Sequence, residues 1–227
     1  MSRVSRPVWL VTGAAGGLGR ALVARILAGE QDCIALDRNE RGLNSLHDEL
    51  AAAGQPPALY PLDLSGAGPD DYAEFAHVVE QQFGRLDVLV HAAAHFTALR
   101  PLEHQPGDDW FKTLQVGLTG PHLLNAAFMP LLRKGARGAI VLINNGACLD
   151  KPARWGAYGI CQAGRRQMVA SLASELGPRG PRAIEIDPGP FFSALRSAAR
   201  PTVRPEELPS PASAAEQIFQ TIQTGVT

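Results

Sequence analysis

A chain of 227 residues with 45% apolar content is long enough to bury a full core in one domain, and a formal charge of −1 leaves no basic field for nucleic acid or acidic lipid. Cys33, Cys148 and Cys161 are an odd number without metal-type spacing, so reduced, mostly buried thiols in a cytoplasmic protein are expected, and no metal site. The opening Met1-Ser2-Arg3-Val4-Ser5-Arg6-Pro7 leads into no signal-type apolar region, and no apolar run reaches membrane-spanning length, so the chain reads as soluble and unprocessed.

The first apolar run, Val8-Trp9-Leu10-Val11, enters the glycine-dense turn Thr12-Gly13-Ala14-Ala15-Gly16-Gly17-Leu18-Gly19, and a helical run follows over 20–27. Without Cβ atoms, Gly13, Gly17 and Gly19 let the backbone turn sharply, let a phosphate approach, and let the helix pack tightly on the strand. N–H groups at the helix start then favour an anion. Taken alone, the motif also suits a plain strand-to-helix turn. Cys33-Ile34-Ala35-Leu36 is a second strand ending at Asp37, and a helix over 43–53 is closed by Gly54. Residues 58–62 form a third strand, with Pro61 marking its end or an edge, and Asp63-Leu64 follows. Residues 72–79 have helical apolar spacing, ended by Gly84.

Leu86-Asp87-Val88-Leu89-Val90 is a fourth strand leading into His91-Ala92-Ala93-Ala94, and a long helical tract runs from about 108 to 133. Pro121 inside it has no N–H for the carbonyl four residues earlier, so Gly117 is expected to keep a free C=O and the helix to bend. A fifth strand over 139–143, a helix over 157–176, a sixth strand over 183–186 and a last helix over 212–224 complete the pattern, and the chain ends at Thr227 before a seventh strand. This alternation predicts an α/β fold: a Rossmann-type doubly wound parallel sheet with helices on both faces, lacking the seventh strand. The segment 178–211 holds eight of the eighteen prolines and so is not one regular element. Within the single domain 1–227 its stretch of about 188–210 is expected to act as a lid over a substrate, with Phe191 and Phe192 as apolar walls; the alternative is a surface loop whose phenylalanines fill core.

Thr12-Gly13-x-x-x-Gly17-x-Gly19, then Asp63-Leu64, then Tyr158 opening a helix, then Pro188-Gly189, resemble the short-chain dehydrogenase/reductase family across nearly the whole chain. The resemblance implies that NAD(P)(H) binds at Gly13, Gly17, Leu18, Gly19, Asp37, Asp63, Ala93, Gln162, Pro188 and Gly189, and that a hydride moves to or from a carbonyl or alcohol carbon of a small-molecule substrate. Asp37 stands where the family places an acid against the adenosine ribose, which repels a 2′-phosphate, so NAD(H) is favoured; NADP(H) is the alternative, through Arg38. Asp63 is implied to bond the adenine, its plainer reading being a helix cap.

The family's catalytic asparagine, serine, tyrosine and lysine align with Gly117, Asn145, Tyr158 and Gln162. The Asn145 amide can donate where the serine hydroxyl would, unless Asn144 points there instead. The Gly117 carbonyl is expected to hold a relay water. Gln162 keeps a ribose hydrogen bond but supplies no charge to depress the tyrosine pKa. With a pKa of about 10, only about one tyrosine in a thousand is phenolate at pH 7. Alcohol oxidation, which needs a base, is then crippled, while carbonyl reduction needs only an acid. Arg165, Lys151 and Arg154 are candidate substitute cations, each expected as a solvated charge.

The sequence thus predicts an NAD(P)(H)-binding oxidoreductase that reduces carbonyls with a weakened proton relay. The alternatives are a non-redox lyase, cyclase or isomerase on the same scaffold, and a non-catalytic nucleotide-binding subunit. The resemblance also implies a homodimer through the helices around 108–133 and 154–176, with Arg166 and Ala170 facing the partner, against a monomer with those faces solvated.

Overall fold

The computed structural model describes residues 6–135 and 138–225. The expectations attached to the start of the chain, 1–5, and to its end, 226–227, lie outside the described residues.

Six parallel strands, β1 (Val8–Thr12), β2 (Asp32–Asp37), β3 (Ala58–Pro61), β4 (Val88–His91), β5 (Ala139–Ile143) and β6 (Arg182–Ile186), form one sheet in the order β3-β2-β1-β4-β5-β6. Because successive side chains point to opposite faces, each apolar strand feeds two cores. Trp9, Val11, Val88, Val90 and Val141 pack under α1 (Gly17–Ala28), α2 (Glu40–Ala52) and α9 (Pro211–Gly225). Val8, Leu10, Leu89, Ile140 and Leu142 pack under α3 (Pro69–Phe83), α5 (Gly120–Leu132) and α7 (Gly156–Leu176). Phe219 of α9 stacks on Trp9 with ring centroids 5.6 Å apart, which ties the last helix to the first strand.

Boundaries move for local reasons. Asn39 caps α2, its Oδ1 accepting from the Gly42 N–H at 3.1 Å, so that helix starts at Glu40 rather than at residue 43. Leu86 and Asp87 precede β4 because Asp87 instead ties the strand starts together, its carboxylate accepting from the Val8 N–H at 2.8 Å.

The tract expected as one bent helix over 108–133 is α4 (Gly107–Leu114), a π-helical turn (Gln115–Thr119) and α5. Pro121 removes one donor, and the chain widens into a π turn instead of kinking. A short α6 (Ala147–Asp150) precedes α7, and the proline-rich stretch holds two short pieces, α8 (Ala194–Ala199), capped by Ser193 Oγ accepting from the Arg196 N–H at 3.1 Å, and a 3-10 turn (Pro205–Glu207). Among the described residues no helix is long and apolar enough to cross a membrane. All three thiols are free and buried.

Candidate active site

The carboxyl ends of β1, β2, β4 and β5 open into one cleft of about 440 Å³. Gly13, Gly17, Leu18, Gly19, Asp37, Asp63, Ala93, Asn145, Tyr158 and Gly189 line it together. The other predicted site residues, Gly117, Gln162 and Pro188, are not among its lining.

At the β1 end the turn is shaped by close approach. Gly13 has φ +73°, and a Cβ there would stand 2.8 Å from the Ala93 Cα. Ala93 in turn donates its N–H to Thr12 Oγ1 at 3.1 Å, so the segment after β4 is pinned to the turn. Arg20 makes the first bond of α1, to Gly16 O at 2.9 Å, which leaves the N–H groups of Gly17, Leu18 and Gly19 at the helix start facing an anion's path. Gly17 lines the cleft, and a Cβ there would meet only Pro211 Cγ, at 3.7 Å. That bare edge fits the close approach of a pyrophosphate.

Asp37 is turned inward. One carboxylate oxygen accepts from the Ala15 N–H at 3.0 Å and the other from the Asn39 N–H at 2.9 Å. Arg38 beside it is exposed and lines the cleft. Asp63 accepts from the Ser65 N–H and hydroxyl, at 3.0 and 2.8 Å, through one oxygen. Burial alone would raise its carboxyl, but those two bonds and the charges of Arg38 and Lys112 hold it below the usual value.

At the other end, Tyr158 sits on the inward face of α7 among Phe96, Trp155 and Cys148, 7% exposed. Burial and neighbouring Cys148 push its phenol up to about 12, against the lowering effect of the Asn145 side-chain hydrogen bond and the Arg165 charge. Asn145 is therefore the amide at the phenol. Asn144 turns away, donating to Glu185 Oε1 at 2.7 Å and to Gln162 O at 3.1 Å.

Two expectations are corrected here. Gln162 has its side chain buried, and its Oε1 accepts from the Asn145 N–H at 3.0 Å, bracing the end of β5. The Gly117 carbonyl is not left for a water, because Arg165 Nε donates to it at 2.7 Å. Arg165 is not solvated but 2% exposed, and it lines the cleft, whereas Lys151 and Arg154 are exposed as expected. Of the two lid phenylalanines, Phe191 lines the cleft with Leu195 and Arg196; Phe192 is not among the lining, and its N–H donates to Pro209 O at 2.9 Å.

Sequence reasoning missed His95. It lines the cleft, and Asp109 of α4 orients its ring at 2.9 Å while also accepting from Gln105 and Thr97. Its position directly after His91-Ala92-Ala93-Ala94 was a signal, since that segment leaves β4 at the ligand end of the sheet. His91 itself is core: burial drives its ring down to about 3, so it stays neutral and donates from Nε2 to Asn125 Oδ1 at 2.8 Å.

The model of the short chain dehydrogenase family matches residues 7–204. This chain belongs to the short-chain dehydrogenases. It is 30% identical over 204 residues to the uncharacterized oxidoreductase YciK of Escherichia coli K12, covering 89% of this chain and 81% of the relative. Its fold matches a short chain dehydrogenase from Escherichia coli CFT073 complexed with NADPH at TM-score 0.90 and 28% identity, over 94% of this chain and 89% of the other. It also matches one from Shigella flexneri 2a complexed with NADP at TM-score 0.87 and 28% identity, over 91% and 86%. The protein is thus an oxidoreductase-family member that binds NAD(P) on a six-stranded Rossmann-type sheet.

A Cβ on Gly117 would stand 2.8 Å from Cys161 Sγ, so an asparagine does not fit there without a shift of α7.

Proposed function

We propose that this short-chain dehydrogenase reduces the carbonyl group of a small molecule, with NADPH as the hydride source. The carrying observation is the Tyr158 phenol, which lines the inner end of the cleft together with Asn145 and is kept protonated there by burial. A protonated phenol is an acid, which reduction requires, and not the base that oxidation requires. The reduced nicotinamide, when bound, supplies the hydride to the carbonyl carbon. Tyr158 gives its proton to the carbonyl oxygen, Asn145 holds that oxygen by its N–H, and Phe191 and Leu195 exclude water from above. The segment of about 188–210 serves in this reading as the substrate cover of a single functional domain.

NADP(H) is preferred to the NAD(H) expected from Asp37. Both solved relatives hold the phosphorylated nucleotide. Each Asp37 oxygen already accepts a backbone N–H, which spreads its charge and occupies it within the turn, while Arg38 stands exposed at the cleft edge for a 2′-phosphate. Gly17, Leu18 and Gly19 hold the pyrophosphate and Asp63 the adenine. Calorimetric titration is expected to show tighter binding of NADPH than of NADH, and Arg38→Ala to weaken NADPH by about tenfold or more with little effect on NADH, as for a lost charge-assisted bond. Tighter NADH binding, indifferent to Arg38, would return the assignment to NAD(H).

The same reading includes a homodimer through the helices around 108–133, which are α4 and α5, and around 154–176, which is α7. Phe111 on α4 is 71% exposed and Ile160 on α7 is 42% exposed, which gives those outer faces an apolar component. Arg166 is paired with Glu185 at 3.1 Å, so its charge is compensated on that side. Light scattering is expected to give twice the chain mass, reverting to one chain mass in Phe111→Glu. Three buried free thiols suit a reducing compartment, and the cytoplasm is where we place the protein.

A further inference from the structure

Neutral Gln162 stands where the family carries its lysine, yet a cation reaches the same cleft from the next turn of α7. Tyr158, Gln162 and Arg165 lie at i, i+4 and i+7 on one face of the helix. Three N–H groups of Arg165 are fixed by backbone carbonyls: Nε donates to Gly117 O at 2.7 Å, one terminal nitrogen to Ile143 O at 2.8 Å, and the other to Ala93 O at 2.9 Å. These carbonyls come from the π turn, the end of β5 and the segment after β4, so the guanidinium joins three walls of the site. A guanidinium has five N–H donors, and two remain for the cleft.

No carboxylate among the described residues pairs with this buried charge. The titratable groups that face it are Tyr158 and Cys161 on α7 and His91 on β4, and Tyr158 is also faced by Cys148 of α6. Burial keeps both thiols above their usual range, Cys148 near 12 and Cys161 near 11, and keeps His91 neutral. An uncompensated cation is costly to bury, and the one neighbour in this set that becomes an anion in the reaction is Tyr158.

We propose that Arg165 replaces the family's lysine as the charge that stabilises the Tyr158 phenolate, and that Gly117 and Gln162 are the accommodations that let it in. The inference rests on the carbonyl-reduction reading above. As the Tyr158 O–H bond breaks and its proton passes to the substrate oxygen, the phenolate keeps the electron pair and faces Arg165 until solvent reprotonates it. Gly117 has no side chain, so its turn lies against Cys161 and presents its carbonyl to Nε. Gln162 is neutral and its Oε1 accepts from the Asn145 N–H, so Arg165 is the cation that acts on Tyr158 from α7. The departures at 117 and 162 thus follow from one exchange of cations. Arg165 is in this sense a positioning residue.

The test reads the phenol itself in the protein without nucleotide or substrate, so it is separate from whether reduction is the right reaction. With 3-fluorotyrosine incorporated, the fluorine resonance absent from Tyr158→Phe reports the titration of residue 158. Arg165→Gln is expected to raise that pKa by about one unit or more, the effect of losing a cation within several ångströms, while Arg165→Lys holds it within about half a unit. If the glutamine variant fails to fold, the Arg165→Gln/Gln162→Lys variant returns the cation from the family's position and is expected to titrate like the unaltered protein. A titration of residue 158 unchanged in Arg165→Gln, or raised by a unit in either lysine-bearing variant, overturns the proposal. An unchanged titration accompanied by lost reduction assigns Arg165 to scaffolding alone, whereas a raised titration without any reduction in the unaltered protein would sink the functional reading and leave this one standing.

Discussion

Tyr158→Phe is expected to lower the turnover of carbonyl reduction by about a hundredfold to ten-thousandfold while leaving the NADPH dissociation constant within about twofold. The change deletes one oxygen from a side chain packed among Phe96, Trp155 and Cys148, so the aromatic cluster survives and only the proton donor is lost. The factor is what a positioned acid contributes. The pH profile follows from the sign of the shift. An acid is active while protonated, and a phenol pushed up to about 12 stays protonated through the neutral range, so reduction is lost only as pH rises towards that value. Stopped-flow rates of reduction between about pH 6 and 10 should therefore show no limb that disappears in Tyr158→Phe.

Gly17→Ala and Gly19→Ala are expected to separate binding from folding. The Gly19 Cβ would fall 2.1 Å from Gly13 O and 2.7 Å from Ala14 Cα, both backbone atoms of the turn, so the helix and strand must move apart. A loss of about 3 kcal/mol or more in stability follows, at the upper end of overpacking costs. The Gly17 Cβ has ordinary contact only, 3.7 Å from Pro211 Cγ, and its helical backbone takes alanine without strain. That variant keeps its melting temperature within a few degrees but weakens NADPH by at least about tenfold, because the methyl lifts the pyrophosphate off amides whose bonds to an anion are worth about 1.5–3 kcal/mol each. Urea denaturation and nucleotide titration of both variants check this. Equal losses of stability would show that residue 17 is packed and not bare.

The sheet and its helices were legible because the evidence for them is local. Apolar runs of strand length alternate with helical spacing, and a glycine turn stands after the first strand. The glycine turn, Asp63 and Tyr158 were legible for the same reason. Arg165 was not, because its burial depends on carbonyls at Ala93, Gly117 and Ile143 that come from three elements far apart in the chain. By composition alone an arginine beside another arginine on a helix is solvated, and Arg166, one residue on, does behave that way. Asp37 depends on the fold in another way. Its residue type speaks for ribose binding, and only the structure adds the hydrogen bonds to Ala15 and Asn39 that tie it into the turn. The π turn shows the same limit: Pro121 announces a missing donor, but only packing against α7 decides that Gly117 meets a guanidinium instead of water.

The central claim is that bound NADPH is consumed by hydride transfer to a carbonyl carbon with Tyr158 as the acid. Deuterium transfer from NADPH labelled at nicotinamide C4, measured by mass spectrometry of the alcohols formed from a broad panel of aldehydes and ketones, tests it most directly. The account predicts one deuterium on the former carbonyl carbon of at least one product, lost in Tyr158→Phe. NADPH that binds tightly yet delivers no deuterium to any member of the panel, or delivery that is undiminished in Tyr158→Phe, would contradict it.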